Sequence, residues 1–415
     1  AIGVSVDGET PDGTLHALAT ESRFDVQGSL AIDARSEQTI DAVVVAAAGA
    51  VVKAGAGAGA GAGTGTSAIN RIGTEVLAGI ASADSGEGAL RQDVIAGDLV
   101  IQAEDVSEIK AHAGAAAVSA ALGTGLGVAI SVGASIARNV IDGSIGTLLD
   151  GVSVSSADSV DVLAANNAII DATGWAAAAA LAKGEVAGIG LAGAGVSVIN
   201  TLLGDLDNRV NDSEVRAARD IRLATEANGS IQALVVAAAL GVGVGKVGGG
   251  GASLGVALAR NYIGYVADEY SGEGDHDQDQ VTEPDAIRTG DVVRLSEDAG
   301  VYASYAYRYL GEETLYRSRD ENDDRIADSN LAVQDYSNGS LWELLGSAAP
   351  TQVATRVSGS SLSAGSDSVQ GEIRVTAVND SAIDATVLAG SVAASYSLGL
   401  AVAASGAGAS AHNFS

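Results

Sequence analysis

Apolar and polar positions in this chain follow a pattern that recurs at long range. An apolar residue, a spacer, a second apolar residue, a spacer, Ala or Thr, five further residues, then Ile, a spacer and Ala form a block that occurs five times. The copies are LAIDARSEQTIDA (30–42), LVIQAEDVSEIKA (99–111), VDVLAANNAIIDA (160–172), IRLATEANGSIQA (221–233) and IRVTAVNDSAIDA (373–385). The Ile of each block (Ile40, Ile109, Ile170, Ile231, Ile383) is followed thirty positions later by an Asn (Asn70, Asn139, Asn200, Asn261, Asn413). Five equal separations mark a packed element, because exposed loops vary in length. From each Asn to the next Ile the lengths are 39, 31, 31 and 122. Turns and one large insertion therefore belong to that half. The pattern divides the chain into the end of a preceding repeat (1–29), repeats at 30–98, 99–159, 160–220 and 221–264, an inserted module (265–350) and a truncated fifth repeat (351–415).

The thirty-residue element is mostly Ala, Gly, Val and Ser, as in ATGWAAAAALAKGEVAGIGLAGAGVSVIN (172–200). A helix is disfavoured, since each Gly costs about 1 kcal/mol relative to Ala and Gly55 to Gly65 alternate with Ala or Thr. A membrane hairpin is disfavoured by the charges Lys53, Lys183, Glu185 and Lys246 and by the lack of an aromatic belt. Strands fit best. Gly241, Gly243 and Gly245 alternate with Val, which puts one residue class on each face. Small residues on one face let two sheets approach closely. The predicted fold is an all-β solenoid, β-helix-like, of about five Ala/Gly-rich repeats with one small β-rich insertion. Within it the five Ile would stack as an apolar ladder. The five Asn would either form an amide ladder or serve as turn residues tolerating a left-handed backbone.

Composition narrows the function. With 22 basic against 52 acidic residues the net charge is −30, which argues against nucleic acid and anionic membranes as partners. The chain has no Cys, so disulfides, thiolate metal sites and Cys nucleophiles are excluded. It has no Met, no signal peptide, and stops on the Asn anchor. The expectation is a slice of a longer exported protein whose partners are neighbouring repeats or copies of itself.

The insertion is different in kind. Residues 265–345 hold 20 acids, 6 Arg, and eight of the ten Tyr, with Trp342. Tyr302, Tyr305, Tyr307, Tyr309 and Trp342 read either as a small aromatic core or as a platform stacking on a glycan or other cell-surface partner. Asp320, Asn322, Asp324 and Asp328 occupy positions 1, 3, 5 and 9 of a calcium loop, the one cofactor the sequence suggests. Arg325 and Leu331 depart from it where Gly and Glu belong. Asp275, Asp277 and Asp279 form a second acidic spacing.

Enzyme motifs are weak. GIGLAG (188–193) sits inside a repeat with no βαβ context, and GVGVGKVG (241–248) has Val247 where a phosphate loop needs Ser or Thr. There is no GxSxG or HExxH. The chain reads as not an enzyme, with polysaccharide chemistry the remaining alternative.

The block with its Ala/Gly run and its close, GVSVIN (195–200) or GASIARN (133–139), resembles giant repetitive bacterial surface and secreted proteins of the filamentous haemagglutinin-like and leukotoxin-like adhesin group. YRYLG (307–311) and QDYSNGSLWELL (334–345) look like a module of the same proteins. The resemblance implies export, a β-solenoid and an adhesive or scaffolding role at the cell surface. It supplies no catalytic residues.

Overall fold

Period-two alternation along the repeats sorts residues between an inner and an outer face. In Ile169–Gly184 the even-numbered residues are buried and the odd-numbered ones point outward. The computed structural model describes residues 13–82, 92–264 and 351–414, and in between 275–277, 284–295, 305–311, 314–316, 329–331, 334, 336 and 341–347. Among the described residues every regular element is a β-strand.

Four strands follow one another and then recur. In one pass they are a base strand, Leu99–Asp105, an outgoing strand, Glu108–Gly123, an incoming strand, Leu126–Asp150, and a closing strand, Val152–Ser156. The next base strand is Val160–Asn166. Each strand pairs in parallel with its equivalents in the neighbouring passes. The base sheet runs through Leu30–Ser36, Leu99–Asp105, Val160–Asn166, Ile221–Ala227 and Ile373–Asn379. The outgoing sheet runs through Thr39–Ala54, Glu108–Gly123, Ile169–Gly184, Ser230–Val244 and Ala382–Tyr396. The architecture is an all-β, solenoid-like stack of parallel sheets in register.

Two cores lie inside it. The base sheet, the closing sheet and the far half of the incoming sheet enclose large residues, among them Leu99, Ile101, Ile145, Leu149, Ile221 and Leu223. The outgoing sheet and the near half of the incoming sheet form a thin blade filled mainly with Ala. The blade narrows toward its tip. A Cβ on Gly190 would lie 2.9 Å from Ala180 O, and one on Gly251 would lie 2.8 Å from Gly241 O. At Gly243 a Cβ would collide with the backbone carbonyl of Gly250. The inward glycines are thus required by sheet-to-sheet distance. The outward glycines, such as Gly59, Gly61 and Gly65, meet nothing within 4 Å.

Pairing offsets locate the length variation. Ala81 pairs with Asp150, and Gln92 with Val152. The extra residues of the longer spacing therefore sit between Ala81 and Gln92, opposite the single Gly151. Farther on, Val353–Ser358 pairs with Asp205–Asn211, and Ser361–Ala364 with Glu214–Ala217. These stretches continue the pass that starts at Ile221, and the next pass starts at Ile373. The boundary at 351 read from the sequence therefore falls within a pass. The chain leaves the incoming sheet at Gly264 and returns beside it, Thr351 N donating to Gly264 O at 3.0 Å. Between them, Val292–Arg294 and Trp342–Ser347 flank Tyr305–Tyr309 in antiparallel pairing.

Candidate functional surfaces and side-chain ladders

The five Ile stack in register, Ile40 on Ile109, Ile109 on Ile170, Ile170 on Ile231 and Ile231 on Ile383. The middle three are fully buried. Ile72, Ile141, Leu202 and Ile263 line the incoming side of the same core. The sequence pattern did not flag them, because they stand just outside the thirty-residue span.

The Asn residues lie within strands, none at positive φ. Asn70 Nδ2 donates to Asn139 Oδ1, Asn139 to Asn200, Asn200 to Asn261 and Asn261 to Asn413, each at 2.8 Å. Of the two readings open in the sequence, the geometry is the amide ladder. The close approaches, 190 over 180 and 251 over 241, extrapolate along both strands to bring Asn200 opposite Ile170 and Asn261 opposite Ile231. The thirty-residue spacing is therefore the path out to the blade tip and back.

A second ladder, absent from the sequence reading, turns the corner between base and outgoing strands. Asp105 Oδ1 accepts from Ser107 N at 3.0 Å and Ser107 Oγ at 2.5 Å. Asn166 Oδ1 accepts from Ala168 N, and Asn379 Oδ1 from Ser381 N. The Asx turns of Asp105 and Asn166 stack in register, and Ala227 separates them from that of Asn379. Burial pushes the Asp105 carboxyl above its usual range, against the Ser107 hydrogen bonds that lower it. Asn208, also fully buried, donates to Val162 O at 2.9 Å and Ala224 O at 3.2 Å and so ties the incoming sheet to the base sheet.

Basic residues meet acids both within a strand, as Lys110 does Glu108 at 2.6 Å, and in an adjacent pass. Arg35 pairs with Glu104, Arg219 with Asp158 at 2.8 Å and Arg356 with Asp207 at 2.6 Å. Exposed pairs of this kind contribute at most about 1 kcal/mol each.

Between Gly264 and Thr351, Tyr307, Tyr309, Tyr336 and Trp342 are buried with Ile287, Val293 and Leu331. Tyr309 and Tyr336 each lie against Trp342, at 5.0 and 4.9 Å between ring centroids. The rings are tilted against one another and buried, so Tyr307, Tyr309 and Trp342 present no flat exposed face. Tyr305 lies in the same strand as Tyr307. Tyr302 lies outside the described residues, as do Asp320, Asn322, Asp324 and Asp328. Of the second acidic spacing, Asp275 Oδ2 accepts from Val292 N at 2.9 Å. Among the described residues no group of three or more His, Asp or Glu is placed to hold a metal ion. Gly188 and Gly190 of GIGLAG face the opposing sheet, where no phosphate fits.

Both outer faces of the blade are apolar. Val43, Val45 and Val51 on the outgoing sheet are more than half exposed, as is Leu388. A furrow on that sheet is floored by Ala116, Ala177, Ala238 and Gly390, with Val118 and Leu240 rising beside it. The incoming sheet exposes Ile130, Val132, Ile136 and Leu254. Among the described residues no helix is long and apolar enough to cross a membrane. No protein-family model matches the chain, and no curated protein and no solved structure matches it.

Proposed function

We propose that this chain is a structural segment of a large extracellular repetitive protein that builds a cell-surface fibre, sheath or adhesin stalk. Each repeat of about 61–69 residues makes one pass of a β-solenoid, and the region 265–350 is a small module projecting from the fourth pass. The mechanism is mechanical. Backbone ladders and Ala/Gly packing hold the passes together, and the acidic exterior keeps the array solvated.

The observation that carries the reading is the continuous row of five amides, four of them buried, which ties successive passes with one repeated bond. A row of this kind serves no chemistry and resists shear between passes. The alternative is a module at 265–350 that recognises glycans; against it, three of its five aromatics, Tyr307, Tyr309 and Trp342, are buried. A polysaccharide-active enzyme is a third and weaker reading.

Antibodies raised against the chain test the proposal on intact source cells. Surface labelling that mild protease treatment removes is the expected result, and labelling only after lysis overturns it. Binding of the whole chain to a glycan array would favour the second reading.

A further inference from the structure

We propose that the outer face of the outgoing sheet is the pairing surface for a second copy of this chain, the two copies related by a two-fold axis parallel to the stack and running along the furrow. The pairing holds whether the solenoid acts as a spacer or as a display arm.

The argument starts from the side chains that alternation turns outward. On this face, from Val43 to Val51 and across the equivalent positions of the other four strands, there is no Asp, Glu, Lys or Arg. His112, Thr173 and Thr386 are its polar members, in the row of Val43, and a mainly apolar sheet of this size is unusual on a lone soluble protein. Charge returns at both borders, mainly acidic at the inner one, where Lys110 stands between Asp41 and Asp171, and basic near the tip. At the inner border stand Asp41, Asp171 and Asp384, and near the tip stand Lys53 and Lys183. Asp41 and Asp171 flank Lys110 between them. Among the described residues Lys53 and Lys183 make no ion pair.

The two borders are equidistant from the furrow. Asp41 and Lys53 lie six positions either side of Ala47, and Asp171 and Lys183 six positions either side of Ala177. A two-fold axis through Ala47, Ala116, Ala177, Ala238 and Gly390 therefore sets Asp41 against Lys53 of the second copy, and Asp171 against Lys183 of the second copy. Because the axis is two-fold, each contact occurs twice.

Size matches as well as charge. The same axis sets Val45 against Gly49 of the second copy. The Trp175 ring, which fills the space over Gly114, meets Ala179 and Val118 of the second copy. In these first three strands a large residue opposes a small one, whereas in the last two the axis sets Val236 against Leu240 and Leu388 against Val392 in apolar contact. Five strands about 4.8 Å apart and thirteen residues at about 3.3 Å each give roughly 900 Å² on each copy. Twice that falls inside the range of stable protein interfaces. The incoming sheet is also apolar, but its border carries Arg138 and Arg260 with no acid symmetrically placed to meet them.

The test uses the whole chain, which has no native cysteine. Sedimentation equilibrium is expected to give a dimer. Ala177→Cys, on the axis, is expected to cross-link with a short bismaleimide, whereas Gly193→Cys, outward on the incoming sheet, is not. Asp171→Lys is expected to weaken association at least tenfold. Asp171→Lys combined with Lys183→Asp is expected to restore it. Circular dichroism melts check that each variant is folded. The proposal is overturned by a monomer at every concentration, by cross-linking at Gly193→Cys in place of Ala177→Cys, or by a double swap no better than the single. Flotation of a monomeric chain with phosphatidylcholine vesicles would overturn it too, by assigning the face to lipid.

Discussion

Replacing Asn139 with Ala removes two hydrogen bonds and leaves Asn70 Nδ2 and Asn200 Oδ1 unpaired in a dry interior. The expected loss is about 2–4 kcal/mol, from unmade buried bonds, read as a lower melting temperature. Asn413→Ala removes one bond at an exposed strand and should cost less than half as much. Equal effects would show that the amides act singly and not as a row. Glycines divide in the same residue-by-residue way. Gly243→Ala must push apart the facing backbones and should cost at least about 3 kcal/mol. Gly61→Ala, with open space around it, should stabilise by about 0.5 kcal/mol by lowering the entropy of the unfolded chain. In the sequence Gly61 and Gly243 look alike, because alternation gives a period without saying which face is inside. The corner carboxyl has a pH signature. Asp105 is more basic folded than unfolded, so its protonated form contributes stability below about pH 3.8 and that contribution is lost as pH rises. Asp105→Asn keeps the Asx turn, as Asn166 and Asn379 do in their passes. It should melt higher than the parent at pH 7, with the gap closing toward pH 3.8.

The outgoing and incoming strands are one element bent at the tip, and the constant thirty residues between Ile and Asn define its length. One Ala inserted between Ala177 and Ala178 would turn every later inward residue of that arm outward until the register recovers. The expected result is loss of the cooperative melt. The same insertion between Ala81 and Gln92, where one pass already carries extra residues, should leave the melt within a few degrees. If both insertions are tolerated equally, the blade is not the packed unit of this fold. This much was legible in the sequence, since equal spacing over five copies can only come from an element whose length is enforced. The Asx corner was not legible, because Ser36, Asp105, Asn166, Ala227 and Asn379 share a position without sharing a residue type. Nor was the continuation of the fourth pass at Val353–Ala364, where the intervening chain separates two halves of one incoming path. The aromatic cluster read more readily as a core than as a platform, though exposure cannot be told from residue type alone, and Tyr307, Tyr309 and Trp342 lie in a core.

Across the whole molecule, contacts run mainly to the passes directly above and below, so stability should vary along the stack. Ile169–Gly184 has a paired strand on each side, whereas Ala382–Tyr396 pairs only with Ser230–Val244. Amide exchange is expected to be slowest in the middle strand and faster by at least tenfold in Ala382–Tyr396. Uniform exchange would mean that the stack opens only as a unit. Of the net charge of −30, residues 265–345, with 20 acids and 6 Arg, carry −14, while the blade faces carry almost none of it.

The amide row also has a direction. Each Asn from Asn70 to Asn261 donates toward the later pass, and each from Asn139 to Asn413 accepts from the earlier one, so the row is an arrow of aligned dipoles. Each member polarises the next, and the bond strengthens with the number of passes in line. An arrow has two unlike ends: carbonyl oxygen leads at Asn70 and amide nitrogen at Asn413. Stacks of this kind can extend one another head to tail, but two tails meeting would set donor against donor. The same side chain that ties the passes together therefore gives the axis a polarity.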